Sequence, residues 1–210
     1  MRLAILGTGA VGGTLGRRWA GLGHDIGFGT RDPQAATVRR LLQDCGGRAR
    51  AGSARDAVAD AEVVVLATPY EAHGATLRAA GDLAGRILVD ATNPLRPNLA
   101  GLIVGQETSG AEEIARRAGG ARVYKTLNQT GWEIMADPAF AAGRAVMFVA
   151  GDEPAGKAVV LGLVGELGFE ALDAGGLVAA RYLEPLAMLW IQTAIRQPQG
   201  RDFAFGLLRR

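Results

Sequence analysis

The stretch AILGTGAVGGTLGRRWAGLG, residues 4–23, decides the fold. An apolar run ends at Gly7, and a helical pattern begins at Ala10. Glycine costs a helix interior roughly 1 kcal/mol relative to alanine, so glycines crowded at this junction call for a steric reason. Gly7-Thr8-Gly9-Ala10-Val11-Gly12 is a G-x-G-x-x-G pattern. In a dinucleotide-binding βαβ unit the first glycine permits a tight turn and the second lets the backbone approach a pyrophosphate. The third lets helix and strand pack closely. The anion then sits at the helix N-terminus, where free N–H groups and the dipole favour negative charge. A strand before the pattern and a helix after it supply the context that gives it meaning. Gly7, Thr8, Gly9, Ala10, Val11 and Gly12 are therefore expected to contact a dinucleotide.

Working outward, short β-rich runs alternate with helical patterns, which predicts a parallel sheet with helices on its faces. EVVVLAT and RILVDAT are unbroken apolar runs, as strands buried on both sides should be. HDIGFG, RARAG, RVYKTLN, AVMFVAG and FEALDA are further strands. Ser53 with Asp56 and Ser109 with Glu112 form capping-box patterns. Asp32 before Pro33, and Asp152, are expected as helix N-caps. The fold class expected is α/β: a Rossmann-like, doubly wound, mostly parallel sheet with a small helical C-terminal lobe. Residues 1–128 are expected as the NADP-binding Rossmann-like domain, and 129–210 as a strand-and-helix extension packed on the same unit.

The end of the second strand should select the cofactor. An NAD enzyme normally presents an acid there to the ribose hydroxyls. This chain presents Gly29-Thr30-Arg31. A hydroxyl followed by a guanidinium suits a 2′-phosphate, to which arginine makes charge-assisted, often bidentate bonds. NADP(H) is expected over NAD(H), with Thr30 and Arg31 reading the phosphate. Two more strand ends, Thr68-Pro69-Tyr70 and Thr92-Asn93-Pro94, should face the cofactor, since ligands bind at the carboxyl edge of such sheets. Thr68, Pro69, Tyr70, Asn93 and Pro94 are expected on the nicotinamide side. GDEPAGKA, residues 151–158, nearly matches a P-loop, but Ala158 offers no hydroxyl to Mg²⁺ and Pro154 removes an N–H from the cradle.

No residue is expected as a catalytic acid, base or nucleophile. Tyr70, Tyr124 and Tyr182 have no lysine four residues on, and no His/Cys/Asp cluster has metal spacing. His24 and His73 are expected to be structural. Lys125 and Asn128, at a strand end, are expected to meet the substrate. Hydride transfer between stacked redox rings needs proximity and orientation more than a proton donor.

The whole-chain figures bound these readings. The 210 residues carry a net charge of +2, and the basic residues are scattered rather than blocked, which gives nucleic-acid binding little support. A single cysteine, Cys45, cannot form an internal disulfide. The late apolar stretch LEPLAMLWIQTAI is too short to span a bilayer, and the expected compartment is the cytoplasm.

With these residues in view, the chain resembles the NADPH-dependent deazaflavin (coenzyme factor 420) reductase family. It is also similar to the NADPH–flavin oxidoreductase domain of metalloreductases. The resemblance runs nearly end to end, on LGTGAVGGTLG, GTRDP, VDATNPL, VYKTLN, AGDEPAGKAVV, LDAGGLVAARYLEPLAMLWI and GRDFAFGLLRR. It implies direct hydride exchange between NADP(H) and a deazaflavin or flavin, a small-molecule acceptor being the partner. Thr8, Ala10, Val11, Thr30 and Arg31 match the family's NADP-binding positions, and Thr68 and Pro69 its nicotinamide-side loop. Gln34, Ala35 and Ala36 stand where members often carry a lysine, with Arg39 as a distant substitute. The helix in RYLEPLAMLWIQ is apolar around much of its circumference, which suits core, a homodimer face or a pocket wall. Two other readings stay open: a reductase of a small imine or carbonyl using Lys125 or Asn128, and a non-catalytic NADP(H)-sensing module.

Overall fold

VVVL has no polar face, and ILVD is apolar until its last residue, so each suits a strand with cover on both sides. In the computed structural model, which describes residues 1–210, they become the centre of an eight-stranded sheet. The first part of the chain forms β1 (Arg2–Leu6), α1 (Ala10–Gly21), β2 (Asp25–Gly29), α2 (Ala36–Asp44), β3 (Ala49–Gly52), α3 (Ala54–Val58) and β4 (Val63–Leu66). It continues through α4 (His73–Ala80), β5 (Ile87–Asp90), α5 (Gly110–Arg117) and β6 (Arg122–Lys125). Then come α6 (Trp132–Ala136), a small ribbon of β7 (Ala139–Phe140) and β8 (Gly143–Arg144), and β9 (Val146–Gly151). The chain closes with α7 (Pro154–Glu166), β10 (Glu170–Asp173) and α8 (Ala180–Arg196).

The sheet order is β10-β9-β6-β5-β4-β1-β2-β3. Its β3-β2-β1-β4-β5-β6 part is the doubly wound arrangement, with the strand order reversing between β1 and β4. β9 enters antiparallel to β6 and carries β10 parallel to itself. The register aligns Leu6, Leu66, Asp90 and Lys125 across four neighbouring strands, so polar residues first enter this row at its β5 and β6 end. Successive side chains point to opposite faces. Leu3 and Ile5 pack with Leu15 and Trp19 of α1, Leu41 of α2 and Leu163 of α7. Ala4 and Leu6 pack on the other face with Leu77 of α4 and Ile114 of α5. The Trp19 indole, buried between α1 and α7, donates its N–H to Leu163 O at 3.1 Å.

Two expected caps are corrected. α2 begins at Ala36, because the Asp32 carboxylate accepts the Gln34 N–H at 2.9 Å and closes a local turn instead. α7 is capped by Glu153, whose carboxylate accepts from Ala155 and Gly156, both at 2.8 Å. Asp152 instead accepts the Leu177 N–H at 2.8 Å, fastening the segment after β10. The Ser53–Asp56 capping box forms on α3, and Ser109 caps α5.

Candidate functional site

The β1–α1 turn shows what its glycines do. Gly7 has φ +120°, a conformation L side chains rarely adopt, and a Cβ there would lie 2.5 Å from the Ala67 carbonyl oxygen. A Cβ on Gly12 would drive into the Gly7 carbonyl. Gly9 is different: its backbone is ordinary extended chain, and nothing lies within 4 Å of where a Cβ would stand. The protein itself does not require glycine there. Gly9 is the N-cap of α1 and makes no side-chain capping bond, so the first N–H groups of this 12-residue helix are left for a ligand. The open space and the uncapped helix end fit a pyrophosphate.

Next to the turn, a cleft of about 670 Å³ opens at the carboxyl edge of β1, β4 and β5. Val11 of α1 forms one side, Ala67 to Glu71 after β4 another, and Ala91 to Asn93 with Leu95, Arg96, Pro97 and Ile103 the third. Of the expected residues, Val11, Thr68, Pro69, Tyr70 and Asn93 meet here. Pro94 lies next to this wall and is buried. The Thr68 hydroxyl is buried without a hydrogen-bond partner. Thr30 follows β2, its N–H bonded to Gly52 O at 3.0 Å. Arg31 is exposed and makes no ion pair, so its guanidinium is available to an anion.

The titratable groups around the cleft are mostly committed. Tyr70 donates its phenolic proton to Glu113 at 2.8 Å, and burial, then this bond and the glutamate's charge, raise its pKa well above the usual tyrosine range. His73 is buried behind Tyr70, with Nδ1 on the Tyr70 carbonyl oxygen and Nε2 3.0 Å from the Arg117 guanidinium. Arginine only donates, so the contact with Arg117 leaves Nε2 to accept and Nδ1 to face the carbonyl oxygen. His24 pairs with Glu166 at 2.8 Å, far from the cleft in a surface seam. Tyr124 is pushed up to about 12 by burial and the charge of Glu153.

Lys125 and Asn128, expected at the substrate, are both buried and neither lines the cleft. Lys125 Nζ donates to Asp90 Oδ2 at 2.9 Å, Glu184 Oε1 at 2.9 Å and Thr92 O at 2.6 Å. All three charged groups are 0–1% exposed. Burial pulls the ammonium down, but the two carboxylates more than offset it and hold its pKa above the ordinary lysine value. Glu184, on α8, also accepts the Gly110 and Ala111 N–H groups at 2.9 and 3.1 Å, so it caps α5 from 74 residues away. Asp90 accepts from the Thr92 N–H and hydroxyl at 2.9 and 2.7 Å. Asn128 exchanges hydrogen bonds with Asn93: its side-chain amide donates to Asn93 Oδ1 at 3.0 Å, and its backbone carbonyl accepts from Asn93 Nδ2 at 2.8 Å. Both residues therefore hold the Thr92–Asn93 wall from behind. Sequence reasoning missed Asp90, Glu184 and Arg96. A lone acid in an otherwise apolar helix, as in RYLEPLAMLWI, was the available signal for Glu184.

With this geometry in place, comparison with known proteins is informative. Residues 2–94 match the family described as NADP oxidoreductase, coenzyme F420-dependent. The F420-dependent NADP reductase of Methanothermobacter thermautotrophicus is 32% identical over 213 residues, covering 93% of this chain and 90% of that one. A crystal structure of a candidate F420-dependent NADP reductase from Arthrobacter sp. FB24 superposes with a TM-score of 0.90 at 36% identity, covering 100% of both chains. The rat metalloreductase STEAP3 is 29% identical over 90% of this chain, which spans 37% of that protein's length.

Proposed function

The chain belongs to the F420-dependent NADP reductase family, and from this premise we propose that it passes a hydride between NADP(H) and a deazaflavin or flavin. The observation that carries the reading is the junction of two features. An uncapped α1 N-terminus with open space over Gly9 leads, through Val11, directly into a largely apolar cleft. When bound, NADPH supplies the hydride, leaving NADP⁺, while the acceptor also takes one proton from solvent. The protein's part is positioning. The α1 amides would hold the pyrophosphate, Thr30 and Arg31 the 2′-phosphate, and Thr68 and Pro69 the nicotinamide side.

The side chains at the cleft support hydride transfer without a dedicated proton donor. Tyr70 has its proton engaged by Glu113, Arg96 is a permanent cation, and Glu71 stands exposed at the edge. NADPH carrying deuterium at the transferred position should deliver its label to the carbon of a deazaflavin acceptor, read by mass spectrometry. Alanine at His73, Tyr70 or Glu71 should each slow turnover by less than the 10²–10⁴-fold typical of a lost general acid or base. Label lost to solvent would contradict direct transfer to the deazaflavin carbon, and one such change costing about 10⁴-fold with the fold intact would favour an imine or carbonyl reductase.

Cofactor choice gives a separate expectation. Arg31→Ala should weaken NADPH binding by about 10- to 100-fold, the worth of one charge-assisted phosphate contact, and leave NADH binding nearly unchanged. Calorimetric titration with both cofactors checks this, and equal losses would show that Arg31 reads something common to the two.

A further inference from the structure

The segment between β5 and α5 forms one wall of the cleft, and it is a built ribbon rather than slack chain. Leu95 and Leu102 pair as an antiparallel bridge, Arg96 N donates to Gly101 O at 2.8 Å, and Ile103 N to Pro94 O at 2.7 Å. At its tip Asn98 and Leu99 both hold left-handed backbone, with φ 56° and 55°. Such non-glycine conformations persist only where surrounding structure imposes them, and they cluster at ligand clamps. Arg196 of α8 supplies that restraint, donating to the Asn98 and Leu99 carbonyls at 3.2 and 3.3 Å.

Arg96 stands on this ribbon at the rim of the cleft. Its Nε donates to Leu102 O at 2.9 Å, and its backbone N–H is also bonded, so the side chain is fixed at its root. Its terminal Nη groups have no hydrogen-bond or ion-pair partner. The one acid on the cleft, Glu71, lies on the β4 side and does not pair with it. A guanidinium anchored through Nε, with its outer N–H groups unspent, is prepared for a phosphate or carboxylate.

We propose that Arg96 reads an anionic substituent on the hydride acceptor, so that the cleft favours a flat ring system bearing a phosphate or carboxylate over the same ring without one. The inference rests on the oxidoreductase reading of the cleft. Riboflavin and flavin mononucleotide test it, because they share one redox ring and differ by a phosphate. With NADPH as donor, Arg96→Gln should lower kcat/KM for flavin mononucleotide by about 10- to 100-fold and leave riboflavin within about two-fold. Arg96→Lys should recover part of the loss, since it keeps the charge but not the fork. Fluorescence titration of each flavin into protein saturated with NADP⁺ should show the same selective change in Kd.

The outcomes separate cleanly. A merely loosened ribbon would weaken both flavins alike, and that result overturns the proposal. A raised KM for NADPH instead would assign Arg96 to the dinucleotide and overturn it equally. Turnover of both flavins with no dependence on Arg96 sinks this inference while the oxidoreductase reading stands. Failure of the unmodified protein to oxidise NADPH with any flavin or deazaflavin removes that reading, and this inference with it.

Discussion

Gly9→Val is expected to abolish measurable dinucleotide binding while leaving a folded protein. The two halves of that expectation come from one observation: a Cβ at Gly9 meets no protein atom within 4 Å, and the backbone there is ordinary extended chain. The protein loses only an N-cap preference, about 1 kcal/mol. The valine methyls instead occupy the space through which a pyrophosphate would reach the α1 amides. A loss of at least about 100-fold in NADPH affinity, ~2.7 kcal/mol, should appear by calorimetry. The neighbouring glycines provide the contrast. Valine at Gly7 is strained by a φ of +120° and collides with the Ala67 carbonyl, so it should lower thermal stability whether or not ligand is present. Valine at Gly12 should do the same through the Gly7 carbonyl. Unchanged NADPH affinity in folded Gly9→Val would take the fingerprint out of the functional reading.

The largest stability effect is expected at Lys125. Lys125→Met removes the cation between Asp90 and Glu184 and leaves two carboxylates facing each other at 0–1% exposure. Breaking a buried ion pair from one side typically costs about 3–5 kcal/mol, because the remaining charge is uncompensated. Urea unfolding should show that loss. Adding Asp90→Asn and Glu184→Gln removes the stranded charges, and the triple variant should regain much of it, since replacing a whole buried ionic group is often close to neutral. The pH dependence has a definite sign. A cation whose folded pKa is raised contributes stability that is complete below its unfolded value, about 10.4, and is lost as pH rises through the folded one. Lys125 should therefore add no slope to stability between about pH 5 and 9. A loss under about 1 kcal/mol for Lys125→Met would mean the triad is not the fastening the distances indicate.

The fold was legible in the sequence because strands covered on both faces must be largely apolar, as VVVL is throughout and ILVD is up to its terminal Asp90. The β1–α1 turn was legible because its glycine pattern falls within six residues, although the Ala67 carbonyl that excludes a side chain at Gly7 comes from the end of β4. Ser53 and Ser109 could be read as caps because their partners stand three residues on. Asp32 and Asp152 could not, since each has a competing partner: one in its own turn, one 25 residues away at Leu177. Lys125 shows the general difficulty. A polar residue at a strand's carboxyl end points equally well into a cleft or toward a buried acid. Only the fold shows that α8 brings Glu184 to it. Arg96 was hidden for a related reason, because the ribbon that presents it depends on a left-handed pair at Asn98 and Leu99 and on a tether from Arg196.

The distance in sequence between α5 and its cap sets an order of events during synthesis. Glu184 is added 74 residues after Gly110, an interval of roughly 4–15 s at about 5–20 residues per second. For most of that interval the nascent chain already carries Lys125 and Asp90, which balance one another, so the central strands can close without a stranded buried charge. The first amides of α5 meanwhile have only Ser109 to serve them. The emerging polypeptide therefore carries a nearly finished sheet with one loose helix end, and seating of α8 is the late event that locks it. A ribosome-stalled chain ending before residue 180 should show α5 exchanging its amide protons far faster than the strands beside it.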